Sequence, residues 1–180
     1  VIADNALMLK VKAGDLDQLG LLFERYKRPL FSFFYRLSSD KNSSEDLVQN
    51  VFLRIIKYRH TFIGKGEFRT WMYHLARNVF ADHLKKNQKQ GQKDNLDKWE
   101  DHLLDNSSIE NQHQSEEIQM LNWALQKLSY ERREVLILSR YQELKYSEIA
   151  EIMQTTESNI KVMVHRALIE LRKIYTQIDK

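Results

Sequence analysis

An all-α fold is predicted from three observations. The 180 residues include only 5 Gly and 1 Pro, too few for a chain built from strands and tight turns. Apolar residues recur at three- and four-residue steps through most of the chain. A polar stretch over 87–115 interrupts that periodicity and divides two helical modules. The expected organisation is an N-terminal helical bundle over 1–88, an acidic flexible linker over 89–115 and a C-terminal helix-turn-helix domain over 116–180.

A short first helix is expected from Asp4 to Lys12. A longer one follows from Asp15 to Leu37, with Leu16, Leu19, Phe23, Tyr26, Leu30 and Phe34 on one face. Pro29 is expected to kink or divide it, because proline lacks the amide hydrogen and crowds the preceding turn. Ser38 to Ser43 is a polar break. Ser43 is then placed to cap a helix over Ser44 to Arg59, with Glu45 and Asp46 favoured by the helix dipole. Leu47, Val48, Val51 and Ile55 form its core face. Leu53 and Ile56 make a second strip beside Gln49 and Asp46, which fits either a protein partner or burial within a bundle.

Thr61 to Glu67 is a loop containing Gly64 and Gly66, where unusual backbone angles are expected. The helix from Phe68 to Lys86 buries Met72, Leu75, Ala76, Val79 and Phe80. Its other arc carries His74, Arg77, Asn78, Ala81 and Lys85, with Trp71 at the border. Rings stack on unpaired bases, amides read base edges and cations hold the backbone, so this surface suits single-stranded DNA. Aromatics at this spacing also fit a plain core.

Periodicity returns from Ser115 to Leu128 with Ile118, Leu121, Leu125 and Leu128. Ser129 is placed to cap a helix from Tyr130 to Gln142. Two helices around a polar break then read as a helix-turn-helix. The first runs from Ser147 to Met153. Gln154 occupies the turn where a glycine is usual, and Thr155 or Thr156 caps the next helix. That helix buries Ile160, Met163, Val164, Ala167 and Leu171. Its opposite face carries Ser158, Lys161, Val162, His165, Ile169 and Arg172, flanked by Arg166. Lys and Arg here can neutralise phosphates or reach guanine, Ser158 sits where free amides favour a phosphate, and Val162 matches a thymine methyl. An ordinary amphipathic helix with a solvated basic face is the other reading.

Composition narrows the function. Net charge is +3, and no Lys or Arg occurs between Trp99 and Gln126, so positive charge flanks an acidic middle. The absence of cysteine excludes disulfides and thiolate metal sites and makes a cytoplasmic location the expectation. No apolar run is long enough to span a bilayer, and no basic-then-apolar leader is found. There is no Gly-rich phosphate loop, no H-E-x-x-H metal motif and no G-x-S-x-G elbow. The histidines are scattered. No catalytic residue, metal or cofactor is expected, and the chain is not read as an enzyme.

Three segments carry a family resemblance. Ser44-Glu-Asp-Leu-Val-Gln-Asn-Val-Phe-Leu53 resembles the core-polymerase-binding helix of bacterial sigma factors. Phe68-Arg-Thr-Trp-Met-Tyr-His-Leu-Ala-Arg-Asn78, followed by Asp82-His-Leu-Lys-Lys86, is similar to their promoter-melting helix. Leu128-Ser-Tyr-Glu-Arg-Arg-Glu-Val-Leu136, Tyr146-Ser-Glu-Ile-Ala150 and His165-Arg-Ala167 resemble their minus-thirty-five-binding domain. Size and the lack of other sigma regions point to the extracytoplasmic-function (ECF) group. The resemblance implies a factor that binds core RNA polymerase and directs it to promoter DNA.

By position, it places Asp46, Gln49, Leu53 and Ile56 against the polymerase. It places Phe62, Lys65, Trp71, His74, Arg77, Asn78 and Lys85 on the melted minus-ten strand. It places Ser158, Lys161, Val162, His165, Arg166 and Arg172 on the minus-thirty-five duplex. Serine is frequent in the family where Val162 stands, so the base preference there is its own. An anti-sigma protein is a further expected partner, and the linker is expected to thread a polymerase channel. The alternative is a stand-alone helix-turn-helix regulator binding duplex operators as a dimer.

Overall fold

The structure is a computed structural model that describes residues 3–89 and 109–178. Among these residues every regular element is helical: α1 (Asp4–Lys12), α2 (Gln18–Ser38), α3 (Lys41–Tyr58), α4 (Phe68–Lys89), α5 (Ile109–Lys127), α6 (Tyr130–Leu136), α7 (Tyr146–Met153) and α8 (Glu157–Ile178). Most of the expected linker lies outside the described residues. The helix expected from Ser115 already begins at Ile109.

The N-terminal half packs α2 against α1 and α3, and α4 against α3 and α1. Leu7, Met8, Val11, Leu30, Phe33, Val51, Ile55, Met72 and Ala76 are fully buried. The apolar arc expected of α4 is buried throughout. Phe33 meets Tyr73 edge to face at 5.4 Å, and Phe23 meets Phe52 likewise at 5.0 Å. Such pairs add about 0.5–1.5 kcal/mol each beyond area burial.

Helix α2 begins at Gln18 and not at Asp15, which leaves Leu16 outside it and 46% exposed, and α6 ends at Leu136 and not at Gln142. Two helix caps also depart from expectation. The cap of α3 is Asp40, whose carboxylate accepts from the Ser43 amide at 3.2 Å. Ser43 instead donates its hydroxyl to Asp40 at 2.7 Å. The helix therefore starts at Lys41, because a carboxylate placed earlier satisfies the first free amides. Ser129 makes no side-chain cap bond to α6. Pro29 lies inside an unbroken α2. Surrounding core contacts from Leu30, Phe33 and Phe34 hold the helix through the lost hydrogen bond.

In the C-terminal half, α8 packs against α5, α6 and α7. After α6 the chain makes one wide turn over Ile137–Tyr141, closed by the Gln142 amide donating to the Ile137 carbonyl five residues back at 3.0 Å. The helix-turn-helix forms as expected. Gln154 closes α7 in the left-handed region, at φ 55° and ψ 47°. Thr156 caps α8, its hydroxyl accepting from the Asn159 amide at 3.1 Å. Ile160, Val164 and Ala167 are buried.

Met8 is sealed between α1 and the rest of the N-terminal half. Met8→Ala is expected to cost about 2–5 kcal/mol, as for other large-to-small core changes. Urea denaturation followed by circular dichroism measures it.

Candidate polymerase and nucleic-acid interface

Helix α4 presents separate arcs, and the site is built on that division. At about 100° per residue, Trp71, His74, Asn78 and Lys85 fall within about 60° of one another. Asn78 and Lys85 are exposed, and Trp71 and His74 are half-buried. The structure thus gathers four of the expected minus-ten residues onto one surface. Lys65 is exposed in the adjoining loop.

The other two sit elsewhere. Phe62 is 3% exposed and meets Trp71 edge to face at 5.3 Å and Phe68 at 6.2 Å. Its ring supports Trp71 from behind. Arg77 points around the helix toward the C-terminal half, where its Nε donates to Glu134 Oε1 at 2.9 Å.

That second arc joins the two halves. Arg69 lies against Glu148 of α7, with Nη2 3.1 Å from Oε2. Tyr73 donates its hydroxyl to Gln142 Oε1 at 2.6 Å. Phe80 stacks on Tyr130 with ring centroids 5.8 Å apart. From α2, the Arg36 guanidinium lies 3.7 Å above the Tyr141 ring and donates to Asn122 at 2.8 Å. Arg133 reaches back to donate to the Leu37 carbonyl at 2.7 Å.

Glu134 is the most demanding member. Its side chain is 0% exposed, and Oε2 has no hydrogen-bond partner. Burial raises its carboxyl above the ordinary value, opposed by the charge and hydrogen bond of Arg77 and by a hydrogen bond from Tyr130. Burial, together with the Glu134 carboxylate, pushes the Tyr130 phenol up as well.

The expected polymerase strip lies on α3. Leu53 is 61% exposed, so it lies outside the bundle core, while Asp46 and Gln49 are exposed and Ile56 is half-buried. A polar cleft of about 470 Å³ runs beside this strip between α3 and α4, lined by Asp46, Asn50, Leu53, Lys57, Asp82 and Lys86. Arg54 bridges it by pairing with Asp82, and that hydrogen bond holds the Asp82 carboxyl below its usual range.

On α8, Ser158, Lys161, His165, Arg166 and Arg172 are exposed and Val162 is 44% exposed. All six expected duplex-facing residues therefore reach solvent. Lys161 pairs with Glu157 at 3.4 Å across one turn. Such an exposed pair contributes little and is readily exchanged for a phosphate.

Of the residues joining the halves, Arg77 and Phe80 were singled out in the sequence for other roles, while Arg69, Tyr73, Gln142 and Glu148 were not. Glu134 carried a faint signal: a carboxylate four residues from both Tyr130 and Leu138, in phase with the buried face of its helix. Its partner could not be read, because Arg77 lies in the other half.

The Sigma-70 region 2 profile matches residues 22–90, and the Sigma-70 region 4 profile matches residues 118–171. The chain is 32% identical over 161 residues to the ECF RNA polymerase sigma factor SigX of Bacillus subtilis (strain 168), covering 85% of this chain and 81% of that one. It is 28% identical over 156 residues to the ECF RNA polymerase sigma factor SigM of the same organism, covering 87% and 94%. The chain belongs to the ECF family of RNA polymerase sigma factors.

Two solved structures share the fold. CnrH in complex with the cytosolic domain of CnrY superposes with a TM-score of 0.75 at 17% identity, over 98% of this chain and 99% of that one. The sigma factor RpoE in complex with the anti-sigma factor NepR from Bartonella quintana gives 0.69 at 23% identity, over 89% and 98%. No helix among the described residues is long and apolar enough to cross a membrane.

The Glu134 environment gives a signed pH dependence. With its carboxyl raised in the folded state, the native chain binds this proton more tightly than the unfolded chain. Its contribution therefore favours folding increasingly as pH falls through the window between the folded value and the ordinary 4.5. The denaturation midpoint of wild type, relative to Glu134→Gln, should rise on acidification toward the ordinary 4.5. A difference that is flat across that range would contradict the assignment.

Proposed function

We propose that this sigma factor works through three surfaces of its own chain, with no bond chemistry, and that it acts in the cytoplasm. As an ECF sigma factor it directs core RNA polymerase to promoters. The finer division of labour follows the residues. The module over 1–88 takes the polymerase on the α3 strip of Asp46, Gln49, Leu53 and Ile56. The same module takes the melted minus-ten strand on Lys65, Trp71, His74, Asn78 and Lys85, with Phe62 supporting the stack. The module over 116–180 takes the minus-thirty-five duplex on Ser158, Lys161, Val162, His165, Arg166 and Arg172. Arg77 belongs to this reading only after the two halves part.

The observation that supports it best is the combination in one chain of a solvent-facing basic second helix of a helix-turn-helix and an aromatic-amide-basic arc on a separate bundle. One suits paired DNA and the other unpaired bases. A stand-alone regulator has no use for the second surface. An anti-sigma protein is a natural further partner, since the structural neighbour RpoE is complexed with one.

The proposed sites also call for movement. Sites named minus-thirty-five and minus-ten are about 25 base pairs apart, about 85 Å of B-form DNA at about 3.4 Å per step. Here Arg69 and Glu148 bond directly across the two halves. The halves must separate before both sites are held, and the polymerase supplies the scaffold that makes two weak contacts act together.

Run-off transcription with purified core polymerase over a promoter library tests the function and reads the promoter. No initiation at any defined site would defeat it. Leu53→Asp is expected to weaken core binding at least tenfold, by fluorescence titration, with an unchanged melting temperature. Arg166→Ala is expected to reduce initiation on duplex promoters while core affinity stays within twofold. Losing both together would count against assigning Arg166 to DNA.

A further inference from the structure

Helix α1 lies wholly before the region 2 match, which begins at residue 22. Yet its side chains hold the loop between Thr61 and Phe68 at both ends. Asn5 Oδ1 accepts from the Phe68 amide at 2.7 Å, and Asn5 Nδ2 donates to the Gly66 carbonyl at 2.9 Å. Phe68 is the first residue of α4, so Asn5 caps that helix from a different element and satisfies one of its free amides. At the other end, Lys12 Nζ donates to the Phe62 carbonyl at 2.6 Å. Between these anchors Gly64 adopts φ +73°, and a Cβ built there would stand 3.5 Å from the Leu9 side chain. Leu9 thus underlies the middle of the loop.

The helix itself is firmly seated. Leu7, Met8 and Val11 are fully buried, and Asp4 pairs with Arg25 and accepts from the Tyr26 hydroxyl. Its hold on the loop is therefore that of a fixed strut. The loop borders the Phe62, Phe68 and Trp71 ring cluster and carries Lys65 and the 67%-exposed Ile63 outward.

We propose that α1 is a positioning element for recognition of the melted strand, with Asn5 and Lys12 as the positioning residues. They fix the distance between Lys65 and Trp71, so that an unpaired base meets a preformed edge and not a mobile loop. An ordered loop spares the complex the entropy of ordering it. The inference rests on reading the loop and the Trp71 arc as the strand-binding surface.

The test uses the full chain bound to core polymerase, with a fluorescent single-stranded DNA carrying the minus-ten segment recovered from the promoter library. Asn5→Ala should speed hydrogen exchange at the Phe68 amide and weaken strand binding about 5- to 10-fold, with core affinity unchanged. It should also flatten the difference between that strand and one with an abasic site at the base nearest the loop. Asn5→Asp keeps the cap but loses the donor to Gly66, and should restore part of both effects. Lys12→Met should loosen the opposite end and weaken strand binding in the same direction.

Unchanged exchange at the Phe68 amide in Asn5→Ala would overturn the strut. Faster exchange with unaltered strand affinity and base discrimination would overturn its role in recognition. Lys65→Ala separates the two levels. If it weakens strand binding where Asn5→Ala does not, the inference alone fails. If neither changes strand binding, the reading of the loop as strand-facing fails with it.

Discussion

A carboxylate with no access to water sits at the junction of the two helical halves. Glu134 is neutralised by an arginine from the other half and steadied by the Tyr130 hydroxyl, with one oxygen left unbonded. Removing one partner of such a pair is costly, about 3–5 kcal/mol, because the remaining charge stays buried. The same charge would be comfortable in water. Glu134 therefore gives the halves a reason to stay registered when together and little reason to resist solvent once apart. The neighbouring contacts, Tyr73 to Gln142 and Arg69 to Glu148, share this polar character.

Helix α4 turns that junction into a functional constraint. One arc carries Trp71, His74, Asn78 and Lys85 toward solvent. A second arc carries Arg69, Tyr73, Arg77 and Phe80 into the C-terminal half. The buried stripe of Met72, Ala76 and Val79 fixes the rotation of both. The two cannot be varied independently, because a rotation that improved one would misplace the other.

Local periodicity made the fold legible as core-facing stripes along single helices. The core stripes of α4 and α8 came from three- and four-residue spacing, and the choice of Thr155 or Thr156 as the α8 cap came from the polar break before it. The α3 start was displaced because Asp40, a stronger acceptor than Ser43, stood three residues earlier. Pro29 did not divide α2, because core packing on the same turn outweighed one missing hydrogen bond. At the candidate site, Trp71, Asn78 and the α8 face were visible as types at a spacing. The burial of Phe62 was not, since it depends on how the loop folds onto Phe68 and Trp71, nor was the turning inward of Arg77, which depends on Glu134, distant in sequence. Asn5 was invisible for the same reason, bonding to Gly66 and Phe68 more than sixty positions away.

On the proposed reading, the junction also sets how abundance would translate into output. A chain that must unclasp before it engages a template shows an affinity reduced by the fraction already unclasped, so a preference of about 1.4 kcal/mol for the clasped form lowers it about tenfold. Substitutions at Tyr73, Gln142 or Arg69 would then act as gain controls. They would shift how many copies a cell needs to occupy its promoters, without touching a single base-reading group.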